Sequence, residues 1–284
     1  MSARGRVISE LEALREAELA NPALNPRSLT RWWIAQPPRR RAIVLLHGFT
    51  NAPPQYDVLA PMLVAAGWDV IVPRFPYHGY ADRMTGAPRY LTRDDFLITP
   101  LRAVVLAARL GGSVDAGGIS LGATVACWIA QHVRLHTILM VAPAFGLKNT
   151  AGPIGSAIFA GVGALPNMFL WWDPFERERT PPAHGYPRFS THALAHAMHI
   201  GDEIRTSAGA GRFMATRLAL AISDAEPIMN NAESRSVCDR FGAAGVDVRT
   251  HVFTGLPKRH DIIEPSLEGQ PIDVVYPALI RLLS

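Results

Sequence analysis

The chain has 284 residues, 49% of them hydrophobic and 18% charged, with a formal net charge of +4. Such a composition excludes a disordered chain, and the length fits one large α/β domain or a domain with an insertion. Most of the excess charge is arginine, but the one obvious basic run, Arg39-Arg40-Arg41, reads as a solvated hairpin tip, and no basic stripe interleaved with stacking aromatics marks a nucleic-acid partner. Residues 6 to 20 place Val7, Ile8, Leu11, Leu14 and Leu19 near helical spacing among charges. This is an amphipathic helix ending near Asn21-Pro22, covering the core or a partner, and too charged for a signal peptide.

A strand is expected over Leu29 to Ala35 and another over Ala42 to Leu46, a β-rich apolar run suited to burial on both faces of a parallel sheet. Pro54 to Ala66 reads as a helix closed by Gly67, and Trp68 to Val72 as a strand ended by Pro73. Thr92 and Asp95 have capping-box spacing ahead of the helical run Phe96 to Leu110, in which Pro100 should start a new segment or kink the old one. After Gly111-Gly112 come Gly118-Ile119-Ser120-Leu121-Gly122, a helix to about Val133 and a strand Thr137 to Val141. This alternation signals a mostly parallel sheet with helices on both faces. It breaks over residues 146 to 205, rich in Gly, Pro, Trp, Phe and His, which read as an insertion of short helices over one end of the sheet. The sheet pattern resumes with a strand Leu218 to Ile222, a helix from about Asn230 to Ala243, a strand Val246 to Phe253 and a final helix from about Pro271 to Leu283. Three units follow: an N-terminal helical extension (1–28), a core (29–145 and 206–284) and a helical cap (146–205).

Glycine, any residue, serine, any residue, glycine between strand and helix is the pattern of a nucleophile elbow. The serine stands on a tight turn, and the glycines let backbone and helix pass close beside it. A bare five-residue match also fits a Gly-rich loop with a capping serine, so its surroundings must decide. A serine nucleophile needs a base, an acid to orient that base and donors for the oxyanion, and in open α/β sheets such groups gather at the carboxyl ends of strands. Asp224 directly follows the strand ending at Ile222-Ser223 and is the expected orienting acid, with Glu226 as its competitor. His260 follows the last strand and completes the order Ser, Asp, His; His251 lies inside that strand, out of reach. His47-Gly48-Phe49 ends an earlier strand. The Phe49 and Leu121 N–H groups are the expected oxyanion hole, and His47, upstream of the serine, is more naturally structural than a catalytic base.

Together these residues resemble the α/β-hydrolase superfamily, and within it the carboxylesterase, monoacylglycerol-lipase and serine-aminopeptidase-like branch. The resemblance covers about residues 42 to 145 and 215 to 284. It implies an α/β-hydrolase fold with an inserted cap, Ser120 as nucleophile, His260 as base and then acid, Asp224 as the orienting acid, Phe49 and Leu121 as the oxyanion hole, and no cofactor. The family often has Gly-His-Gly after its third strand; here the chain reads Tyr77-His78-Gly79-Tyr80, which leaves the role of His78 open.

In the insertion, Phe169, Trp171, Trp172 and Phe175 are candidates to line an acyl pocket, to form the cap's own core, or to touch a membrane. His192, His196 and His199 share one helix face, a spacing that metal sites use, but only Asp202 or Glu203 is placed to complete a set, and they read as a polar cap face. Cys127 and Cys238 read as buried thiols, and no uncharged run is long enough to span a bilayer. The expectation is therefore a cytoplasmic serine hydrolase cleaving small-molecule carboxylic esters with an apolar acyl part, its oligomeric state left open. A peptidase, lactonase or carbon–carbon bond hydrolase would use the same triad, a peptidase with Asp173, Glu176 or Glu178 as its amine anchor. A non-catalytic binding module on the same fold is the remaining alternative.

Overall fold

In a computed structural model, which describes residues 2–148, 152–210 and 213–284, the strands form one seven-stranded sheet. They are β1 (Arg31–Trp33), β2 (Arg41–Leu46), β3 (Trp68–Val72), β4 (Ser113–Ile119), β5 (Leu135–Val141), β8 (Ala215–Ser223) and β9 (Asp247–Phe253). Two further short strands, β6 (Phe169–Trp171) and β7 (Arg188–Ser190), pair separately. The main sheet runs β1-β3-β2-β4-β5-β8-β9, and only the edge strand β1 is antiparallel to its neighbour. The sequence of β2 dictates this placement. Its residues alternate between two cores, Ala42, Val44 and Leu46 on one face and Ile43 and Leu45 on the other, so neither face meets water.

The helices supply those two cores. α1 (Ala3–Leu19), α3 (Arg93–Arg109) and α4 (Leu121–Ala130) cover the first face, with Val7, Leu11, Phe96 and Val125 among its buried residues. α2 (Leu59–Ala65) and α8 (Ile272–Leu283) cover the second with Leu59, Leu63, Val275 and Leu279. α7 (Asn231–Ala243) returns Val237 and Phe241 to the first. The N-terminal helix belongs to the core. Arg4 pairs with Asp69 of β3 at 2.7 Å, and the buried Glu18 accepts from Thr30 N–H at 2.7 Å and from the Arg74 guanidinium at 3.1 Å.

Two local expectations change. α3 runs unbroken through Pro100. The missing amide costs one backbone bond, while the reciprocal Thr92–Asp95 cap and the buried side chains on either side of Pro100 hold the helix as one piece. Arg41 is no solvated tip. It leaves the Arg39-Arg40 turn to stack on Trp68, 4.2 Å from the ring centroid, and to pair with Asp115 at 3.0 Å. Asp115 is fully buried in β4 and also accepts from Trp68 Nε1 at 2.7 Å and from Thr137 N–H at 2.9 Å, so one carboxylate joins β2, β3, β4 and β5. Asp115→Ala strands these donors, and we expect it to cost about 3–5 kcal/mol of unfolding free energy, measurable by urea denaturation. Asp115→Asn should cost less.

The insertion between β5 and β8 is not purely helical. It contains α5 (Gly152–Ala164), the β6–β7 pair and α6 (Thr191–Ser207). Three-residue strands are too short to show a period-two pattern in sequence. Among the described residues no helix is long and apolar enough to cross a membrane, and both cysteines are free and buried.

Candidate active site

β2 and β4 lie side by side at the centre of the sheet, where the strand order reverses direction along the chain. In open α/β sheets the crevice beyond the carboxyl ends of such strands is where ligands bind. Ser120 follows β4 there, with φ 57° and ψ −121°, a strained conformation for any residue bearing a side chain. The flanking glycines explain how it fits. A Cβ on Gly118 or on Gly122 would collide with the Leu46 carbonyl of β2. The turn is held from both sides by Ser120 N–H to Val141 C=O (2.9 Å) and Thr124 N–H to Ser120 C=O (3.1 Å). The five-residue pattern thus forms the tight strand-to-helix turn that a nucleophile elbow requires.

The oxyanion candidates come from adjacent strands. Leu121 begins α4, so its N–H has no acceptor four residues back. The Phe49 N–H is aimed by its own peptide. The Gly48 carbonyl accepts from Asn51 N–H (3.1 Å) and from His47 Nδ1 (2.9 Å), and in a trans peptide the Phe49 N–H points the opposite way. Neither N–H donates to any group among the described residues. His47 is buried and structural. Its Nε2 accepts from Phe75 N–H at 3.2 Å, so its proton sits on Nδ1, and burial, reinforced by His78, holds its pKa well below the usual histidine value. His78 is buried too. Its ring nitrogens lie 2.5 Å from the Phe49 carbonyl and 2.8 Å from the Pro76 carbonyl, so it braces the same loop.

The carboxylate beside His260 is Glu226, not the expected Asp224. His260 Nδ1 lies 3.0 and 3.1 Å from the two carboxylate oxygens of Glu226. Asp224 is exposed, and its backbone N–H extends the β8–β9 pairing to Phe253 C=O. The turn after β8, closed by Glu226 N–H to Ser223 C=O (3.2 Å), carries the chain past Asp224 and buries Glu226. Glu226 Oε1 also accepts from Ile228 N–H (2.8 Å) and Met229 N–H (3.0 Å). Burial alone would raise this carboxyl. The His260 hydrogen bond and charge and the two amides outweigh it and hold the pKa below the usual glutamate range. An ionised Glu226 fixes the proton of a neutral His260 on Nδ1 and leaves the Nε2 lone pair free. Nε2 is buried and has no hydrogen-bond partner among the described residues.

Ser120, Leu121, Phe49 and His260 all border one cavity of about 340 Å³, within the size range of small-molecule sites. Its walls are mainly apolar: Ile119, Leu147, Phe189, Leu194, Met198 and Met229 among others. Of the four cap aromatics expected there, only Trp172 lines it, donating from Nε1 to Thr50 Oγ1 at 2.8 Å and packing on Phe189, ring centroids 4.4 Å apart. Phe169 lies under the Arg188 guanidinium (4.6 Å), Trp171 sits in the β6–β7 pair outside the cavity, and Phe175 is 89% exposed in a turn capped by Asp173. The apolar cavity wall on this side is formed instead by Phe189 and by Leu194, Ala197 and Met198 of α6, whose helical spacing after Ser190 is the available signal. Asp173, Glu176 and Glu178 do not line the cavity. His192 bonds the Leu165 carbonyl (2.6 Å) and His199 pairs with Glu203 (3.3 Å). Among the described residues, no three His, Cys, Asp or Glu side chains are grouped to hold a metal.

The sequence model of the alpha/beta hydrolase family matches residues 43–264. No curated protein matches the sequence. Among solved structures, a metagenome-derived lipolytic enzyme of the LipS and LipT study superposes with TM-score 0.69 at 17% identity, covering 91% of this chain and 99% of that one. The monoacylglycerol lipase of Paleococcus ferrophilus gives 0.67 at 18%, covering 89% and 98%. A soluble variant of the Saccharomyces cerevisiae monoglyceride lipase gives 0.69 at 12%, covering 90% of each chain. At these identities the likeness is one of fold. The family match spans most of the chain and includes the elbow, Glu226 and His260, and the chain belongs to the alpha/beta hydrolase family.

Proposed function

We propose that the protein is a serine hydrolase of carboxylic esters with an apolar acyl group, working through an acyl-enzyme on Ser120. The observation that carries this reading is the strained Ser120 turn opening on a largely apolar cavity that also holds His260, itself oriented by Glu226. Ser120 Oγ attacks the ester carbonyl while His260 Nε2 takes its proton. Negative charge collects on the carbonyl oxygen, between the N–H groups of Phe49 and Leu121, and Glu226 stabilises the imidazolium. The tetrahedral intermediate collapses as His260 protonates the departing alcohol. Water, deprotonated by the same nitrogen, then releases the acid and restores Ser120.

The fold neighbours described as lipases and a monoacylglycerol lipase agree with this reading. The apolar walls favour an uncharged acyl chain, and none of the three cap carboxylates that would anchor a substrate amine reaches the cavity. A panel of p-nitrophenyl esters of graded acyl length, run beside amino-acid p-nitroanilides, tests it. We expect turnover of the esters with an optimum at medium acyl length. Faster turnover of the anilides would replace the ester reading with a peptidase.

A further inference from the structure

Gln55 is 1% exposed on the short 3₁₀ turn Pro53–Tyr56, and it touches both halves of the site. Its Oε1 accepts from Gly48 N–H at 2.9 Å, and its Nε2 donates to Asp261 Oδ2 at 2.5 Å. We propose that Gln55 is a positioning residue of the ester-hydrolysing site, its side-chain amide tying the oxyanion turn at Gly48 to the loop that carries His260. The proposal rests on the serine-hydrolase reading above.

The physical case is one of pinned peptide planes. The His47–Gly48 plane is fixed by Gln55 through the Gly48 N–H. The next plane, whose N–H is the Phe49 oxyanion donor, is fixed by His47 and Asn51 through the Gly48 carbonyl. Gly48, the most freely rotating residue of the loop, is thereby held at both of its soft dihedrals. The direction of the Gln55 amide is fixed in turn by Asp261. An ionised carboxylate only accepts, so Nε2 must face it and Oε1 must face Gly48. The flipped amide would set donor against donor at Gly48.

Asp261 directly follows His260 in the chain, and its Oδ1 accepts from Ile263 N–H at 3.1 Å. Burial, with the charge of Glu264 adding, raises its carboxyl to about 6, against the opposing effects of His260, Ile263 N–H and Gln55. The other groups facing it are Asn51 Nδ2 (3.2 Å) and the phenols of Tyr56 and Tyr276, and Glu264 is itself paired with His184 of the cap at 3.0 Å. Asp261 Oδ2, which accepts from Gln55 Nε2 and from Asn51 Nδ2, thus ties the His260 loop to the Gln55 amide and fixes its direction.

The test uses Gln55→Met and Gln55→Glu in the full-length protein, with turnover of the best p-nitrophenyl ester and inhibition by an aryl trifluoromethyl ketone. With the ketone, a bond forms between Ser120 Oγ and the carbonyl carbon, the serine proton passes to His260 Nε2, and the carbonyl π pair becomes an oxyanion facing Phe49 and Leu121. For Gln55→Met we expect kcat to fall roughly 10- to 100-fold, KM to move less than about threefold, and ketone affinity to fall in step with kcat. In Gln55→Glu, two facing carboxyls share one proton. That variant should approach parental kcat on the acid side and lose it as pH rises through the second ionisation, a limb that the parent lacks. If Gln55→Met does not fold, the pH profile of Gln55→Glu decides. Folded variants with parental kcat, ketone affinity and pH profile would overturn the proposal while the parent still hydrolyses esters. A parent that turns over no ester overturns the hydrolase reading, and the bridge's role with it.

Discussion

Ser120→Ala is expected to lower kcat by roughly 10⁴- to 10⁶-fold on any ester that the parent cleaves, with KM little changed. The loss follows from the elbow. Ser120 carries the hydroxyl of a turn held between Val141 and the start of α4, with the flanking glycines packed against the Leu46 carbonyl. Residual rate would come from the oxyanion donors and the binding cavity alone. Folding should survive, since alanine meets the same backbone strain as serine at φ 57°. Ser120→Gly relieves that strain and should raise the unfolding free energy by about 1 kcal/mol while remaining as inactive as the alanine variant. Urea denaturation of the three proteins checks this. Loss of both activity and folded structure in Ser120→Ala would mean that the serine is structural.

The second large effect separates two neighbouring carboxylates. Glu226→Ala should reduce kcat by roughly 10³- to 10⁴-fold, comparable to removal of the orienting acid in other triads. It leaves His260 Nδ1 without its acceptor and the Ile228 and Met229 amides unpaired. Asp224→Ala should stay within about threefold of the parent, as an exposed side chain with no such partner should. Steady-state kinetics on one ester decides between them. A large loss in Asp224→Ala with near-normal rates in Glu226→Ala would restore the acid that chain order alone suggests.

That contrast shows where sequence reasoning stops. Ser120, Phe49, Leu121 and His260 sit at positions fixed by strand ends and glycines, features that a linear pattern carries. Which of Asp224 and Glu226 reaches His260 is set by a turn. Ser223 C=O captures Glu226 N–H, and its Oγ captures Ala225 N–H at 3.2 Å, so the chain rotates and exchanges which carboxylate faces the core. A spacing of two residues cannot show that rotation. The cap was harder still. Its aromatics are dense in sequence, but Trp172 turns inward through Thr50 while Phe175 turns to solvent, and the β6–β7 pair that sorts them is three residues long. The central strands were legible because they are buried on both faces, and Arg41 was misread because its partner Asp115 is distant in sequence.

The proposed mechanism turns on Ser120 as the nucleophile. The most direct measurement is intact-mass and peptide mapping of the full-length protein after reaction with a fluorophosphonate. The predicted result is a single adduct on Ser120, absent from Ser120→Ala and formed far more slowly in Glu226→Ala. A folded parent that acquires no adduct, or an adduct that persists in Ser120→Ala, would contradict it.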